Sequence, residues 1–73
     1  MSDLLAQGKV NLAAGDFPAL RVVGHTIKGL SANAGLENMR DLGLDLQLAA
    51  DATNAASSHA IIEKITAAMD ELR

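Results

Sequence analysis

A chain of 73 residues with a formal net charge of −3 holds one domain, near the size at which a single hydrophobic core is marginal. Almost half of it (49%) is hydrophobic, mostly Ala and Leu, with one Phe, no Trp or Tyr and one Pro, which favours packed helices over sheets. Cys is absent, which excludes disulfides and thiolate metal sites. The acidic balance and the lack of aromatic residues beyond Phe17 argue against a nucleic-acid partner. No apolar run has the length of a membrane span or the layout of a signal peptide, so the expectation is a cytoplasmic protein with no membrane partner.

The first helix is predicted over about residues 2–14. Ser2 is its cap, Leu4 or Leu5, Val10 and Leu12 supply apolar contacts, and Gly8 is a weak point. Gly15-Asp16-Phe17-Pro18 then reads as a break and restart: Gly ends one helix, Asp16 caps the next, and Pro18 is tolerated in a first turn. The second helix runs to Asn33 with Leu20, Val23, Ile27, Leu30 and Ala34 at spacings of three and four, the pattern of a helix burying one side.

Gly35 is suited to the left-handed conformation that stops it. A third helix over about 36–52 turns Leu36, Met39, Leu42, Leu46 and Ala49 or Ala50 inward. Leu44 and Leu48 fall on another side, beside Glu37 and Asp41. Two readings stay open for them: burial against bundle neighbours, or an exposed patch for docking or self-association. Thr53-Asn54-Ala55-Ala56-Ser57 reads as a loop, with Ser57 or Ser58 capping a fourth helix over about 58–72. That helix turns Ile61 or Ile62, Ile65, Ala68 or Met69, and Leu72 inward, and Glu63, Lys64, Asp70, Glu71 and Arg73 outward. Four amphipathic helices joined by short loops predict an all-α, antiparallel four-helix bundle, up-down, with a short first helix, spanning 1–73 as a single domain.

The chemistry lies on the second helix. At roughly 100° per residue His25 points about 170° away from the centre of the buried stripe, so it should stand in water at mid-helix. Arg21, Val22, Lys28 and Gly29 are its neighbours one turn away, and the local charge is positive although the chain is acidic. That contrast points to an acidic partner site. Gly24 and Gly29 each weaken a helix interior by about 1 kcal/mol relative to Ala. Close approach of another molecule to the backbone beside His25 would explain them.

The run Gly24-His25-Thr26-Ile27-Lys28-Gly29, followed by Ser31 and Gly35-Leu36, resembles the signature of histidine-containing phosphotransfer (HPt) domains of bacterial phosphorelays. The resemblance implies the same four-helix bundle. It also implies a phosphocarrier, not an enzyme, that takes a phosphoryl group from a receiver-domain aspartyl phosphate and passes it to another receiver's aspartate. His25 would be the phosphoacceptor and Lys28 a contact to the phosphoryl oxygens. Gln47, on the flank of the third helix, would orient the imidazole.

The partners so implied are receiver domains of response regulators or hybrid sensor kinases, docking on Arg21, Val22, Gly29 and Ala32. No cofactor of this chain is implied, because Mg²⁺ is expected on the receiver. Ser31 matches the small polar position after the Lys-Gly pair and reads as a packing residue, whereas Leu30 is bulkier than the Ser or Ala common there. The first helix and the last loop are shorter than usual for the family, which fits either packing against a second copy or a domain excised from a larger signalling kinase.

Other chemistries find less support. His59 reads as a solvated residue. Positions 21, 22, 28 and 29 offer His25 no metal co-ligand, and no phosphate-binding glycine loop or base-activated nucleophile is present. The rival from another class is a small dimerisation or adaptor module built on Leu44 and Leu48, with His25 incidental. A sensor-kinase phosphoacceptor helix fits poorly, because Thr26 stands where an acidic residue usually follows the His.

Overall fold

Three of the four helices end in the same way, and those ends shape the chain. The computed structural model describes residues 2–71, without the Ser2 side chain. In it α1 (Ser2–Ala13), α2 (Phe17–Asn33), α3 (Glu37–Asp51) and α4 (Ala55–Glu71) are joined by connections of three residues each. At the end of α1 the Asp16 N–H donates to the Asn11 carbonyl (2.8 Å) with Gly15 at φ 70°. At the end of α2 the Leu36 N–H donates to Ser31 (2.9 Å) with Gly35 at φ 74°. At the end of α3 the Asn54 N–H donates to Ala49 (2.9 Å), and here the left-handed residue is Thr53, at φ 51°. Each satisfies carbonyls that a helix end would otherwise leave without donors.

Asp16 caps α2 as expected, its carboxylate accepting from the Ala19 N–H at 3.3 Å. The fourth helix departs from the expectation. It starts at Ala55, and its cap is Asn54, whose Oδ1 accepts from the Ser57 N–H at 3.0 Å. Ser57 and Ser58 lie inside the first turn, and Ser58 is fully buried, so neither is the cap. The left-handed turn at Thr53 stops α3 without a glycine, which is why composition alone read the segment as a longer loop. The cap expected of Ser2 and the inward position expected of Leu72 lie outside the described side chains.

A β-branched residue in the left-handed region costs about 1–2 kcal/mol relative to glycine, partly offset by the greater chain entropy of glycine in the unfolded state. Thr53→Gly should therefore stabilise the protein by about 0.5–1 kcal/mol, even with the Thr53 Oγ1 to Ala52 carbonyl hydrogen bond (2.7 Å) lost. Urea titration measures it, as a higher midpoint at unchanged slope.

The helices form a closed ring in which α1 packs on α2 and α4, and α3 on α2 and α4. The α2–α3 seam is the most extensive. The molecule measures 29 × 18 × 18 Å, so helices of about 25 Å run along its length. The core is Leu5, Leu20, Val23, Ile27, Met39, Leu46, Ala50, Ile62 and Ile65. Gly8 on α1 is buried: a methyl added there would stand 3.2 Å from Val23 Cγ1. It is a packing glycine and not merely a weak point.

Several apolar positions differ from the sequence expectation. Leu30 is 47% exposed and Ala34 is exposed, while Ser31 takes the buried place at the end of the α2 stripe. Gly8 of α1 lies opposite Val23 and Leu20, and α1 has 12 residues against 17 in α2. Leu30 lies near the end of α2, where the described residues leave it about half exposed. Val10 (66%) also faces out. Leu44 (37%) and Leu48 (55%) are exposed on the outer side of α3, which decides between the two readings of them.

Candidate functional site: the face of the α2–α3 seam

The seam is built on two glycines. A methyl carbon on Gly24 would stand 2.7 Å from the Gln47 backbone nitrogen and 2.9 Å from the Gly43 carbonyl oxygen. One on Gly43 would stand 2.6 Å from the Lys28 nitrogen and 3.0 Å from the Gly24 carbonyl oxygen. Carbon cannot approach backbone atoms so closely, so the two helices meet at a separation that only glycine permits. As α2 passes Arg21, Gly24 and Lys28, the partners on α3 are Asp51, Gln47 and Gly43, so these two helices run in opposite directions.

This changes one sequence reading. Gly24 is buried by α3 of its own chain and leaves no backbone open to another molecule. Gly29 does: beyond its own helix backbone, no described atom lies within 4 Å of a methyl built on it. Each mid-helix glycine costs about 1 kcal/mol, and the packing of α2 on α3 offsets that cost at Gly24 and Gly43 but not at Gly29. Gly43 was missed by the sequence reading. A lone glycine inside a helical pattern signals close packing, and Gly43 sits four positions before Gln47.

His25 is exposed, one residue from that crossing, and the helix period has carried its ring to the outside as expected. Lys28 is half-buried along the seam, and no ion pair holds it among the described residues. Val22 (58% exposed) and Ala32 complete the open surface of α2 around the imidazole. Arg21 is different. Its Nε lies 2.6 Å from Asp51 Oδ1, both side chains about half exposed, so a carboxylate from α3 offsets the charge it was expected to add. Asp51 was not among the residues singled out, because only the crossing of the helices brings it to Arg21.

Gln47 is half-buried on the α2 side of α3, its backbone against Gly24. Its Oε1 is buried and accepts no hydrogen bond, and none joins it to His25 among the described residues. A buried amide oxygen without a donor is costly, so this acceptor is available to any N–H that comes within reach. The Thr26 hydroxyl donates back to the Val22 carbonyl at 2.8 Å and takes no part in the exposed surface chemistry.

His59 is exposed on α4, beside a groove lined with Lys9 and Leu12 of α1, and Nε2 lies 3.6 Å from Glu63 Oε1 one turn on. It belongs to the α1–α4 side of the ring and contributes nothing to the α2–α3 seam. No group of three His, Asp or Glu side chains that could hold a metal ion occurs among the described residues. Among the described residues no helix is long and apolar enough to cross a membrane.

Comparison with curated proteins gave no match, and neither did comparison with solved structures. The family model of the Hpt domain matches residues 1–73. With four helices in a ring and an exposed histidine on the second, the chain belongs to the Hpt family, the histidine phosphotransfer modules of phosphorelays, which carry phosphoryl groups and have no kinase activity of their own.

Proposed function

We propose that His25 accepts a phosphoryl group from the aspartyl phosphate of a receiver domain and delivers it to the aspartate of another. The observation that carries this reading is the exposed imidazole at mid-helix, with Lys28, in no ion pair among the described residues, one turn on and the bare backbone of Gly29 beside it. In the forward step the Nε2 lone pair forms a bond to phosphorus, the bond from phosphorus to the aspartyl oxygen breaks, and the carboxylate leaves with the electron pair. Nδ1 keeps its proton. The return step runs the same displacement from phosphohistidine to a second carboxylate. Positioning and charge govern such a loose transition state, so a small chain without acid or base machinery suffices as one half of the reaction. The receiver supplies the Mg²⁺ and the remaining catalytic groups.

The ammonium of Lys28 acts as a point charge on the phosphoryl oxygens. Val22, Gly29 and Ala32 form the docking floor, and Arg21 contributes less because Asp51 holds it. The test is to incubate the protein with a phosphorylated receiver and assay for acid-labile, alkali-stable label. Label carried by His25→Gln protein would sink the assignment. Lys28→Ala should slow transfer about tenfold, the usual order for losing one charged contact worth about 1.5 kcal/mol. An unchanged rate in rapid-quench measurements removes Lys28 from the mechanism.

The exposure of Leu44 and Leu48 favours a second reading, self-association through α3. Sedimentation across a concentration series distinguishes it: a dimer that Leu48→Asp dissociates, together with no label from any receiver, would replace the first reading.

A further inference from the structure

Three features of the α2–α3 seam coincide at one level. Gly24 admits the backbone of Gln47, Gly43 admits the backbone of Lys28, and His25 lies immediately beside Gly24. Each glycine of one helix thus seats the backbone of a residue on the other helix, at or within one turn of the level of His25. Gln47 also carries a buried oxygen that accepts no hydrogen bond among the described residues, as Asn11 Nδ2, Ser31 Oγ and Ser58 Oγ elsewhere also lack a partner.

We infer that Gly24 and Gly43 are positioning residues for phosphotransfer: their interlock sets how closely Gln47 of α3 stands to the turn of α2 that carries His25 and Lys28. This rests on the reading of His25 as phosphoacceptor and extends it to two residues that never touch the phosphoryl group. The physical basis is the absence of slack. With methyl positions 2.6 and 2.7 Å from backbone nitrogens, a side chain at either glycine pushes the two backbones apart, and no rotamer change relieves a clash with backbone. Separation carries Gln47 away from α2, on which His25 and Lys28 move together. His25 itself, anchored on α2 and exposed, keeps its accessibility. The encounter with a receiver is therefore preserved while the geometry of the reacting groups is lost.

The experiment compares Gly43→Ala with unsubstituted protein in phosphotransfer from a phosphorylated receiver, at a temperature where melting curves show both folded. A misplacement of about 1 Å costs on the order of 100-fold in rate. The expected result is a fall of about 10- to 100-fold in the rate at saturating receiver, with the receiver concentration for half-maximal rate changed less than about twofold. Gly8→Ala is the comparison, since it also forces a methyl into a helix seam, 3.2 Å from Val23 Cγ1, away from His25. It should transfer at the unsubstituted rate.

Equal slowing in Gly8→Ala, or a Gly43→Ala protein that is folded and fast, overturns the inference. Should Gly43→Ala not fold, the unsubstituted protein still answers. On phosphorylation of His25 the side-chain amide resonances of Gln47 should shift while those of Asn38 stay in place, and unmoved Gln47 signals overturn the inference. Failure of the underlying reading looks different, because then either the unsubstituted protein takes up no label from any receiver or His25→Gln protein still takes it up.

Discussion

His25→Gln should abolish acid-labile label from a phosphorylated receiver and leave the fold unchanged. Glutamine has about the length of histidine and no nucleophilic nitrogen that can form a stable phosphoramidate, so the covalent step is lost outright and not merely slowed. The ring is exposed, and surface substitutions of that kind fall within about 0.5 kcal/mol of zero. His59→Gln removes the only other imidazole, from the α1–α4 side of the ring, and should label normally. Phosphate analysis of the two variants side by side, with melting curves for both, checks the prediction. The reverse pattern of labelling would transfer the whole functional argument to α4.

Leu46→Ala should cost about 3 kcal/mol, within the usual range of about 2–5 for deleting a fully buried leucine side chain. At roughly 0.05–0.15 kcal/mol per residue, a chain of 73 residues is stable by on the order of 4–11 kcal/mol, so that single change removes a large share. Leu48→Ala, two positions along the same helix and 55% exposed, should cost less than about 0.5 kcal/mol. The contrast reports the orientation of α3 about its own axis. Denaturant titration of both variants measures it, and equal losses would mean that α3 is rotated, with Gln47 and Gly43 no longer facing α2.

Much of the bundle was legible because it follows from periods and end signals that need no neighbour. Leu20, Val23 and Ile27 on one side of α2 already send His25 to the other, since the helix repeat relates the two faces. Asp16 declares the start of α2 and Gly35 its end, through local hydrogen bonds and a local dihedral preference. The start of α4 was misread for an equally local reason. Thr53 occupies a left-handed position that normally belongs to glycine, so the turn carried no composition mark and the cap at Asn54 was passed over.

The amino-acid sequence by itself determined the four helices, the histidine on the outer face of the second and the small, cationic company it keeps within one turn. The tertiary structure alone decided which of those neighbours remain available. It buried Gly24 under α3 and left Gly29 open, gave Arg21 but not Lys28 an ion pair among the described residues, and exposed Leu30, Leu44 and Leu48 where the apolar pattern allowed burial. The physical reason is that these outcomes depend on the length of an adjoining helix and on how closely two backbones cross. Those are distances between elements far apart in the chain, and no window of residues along it contains them.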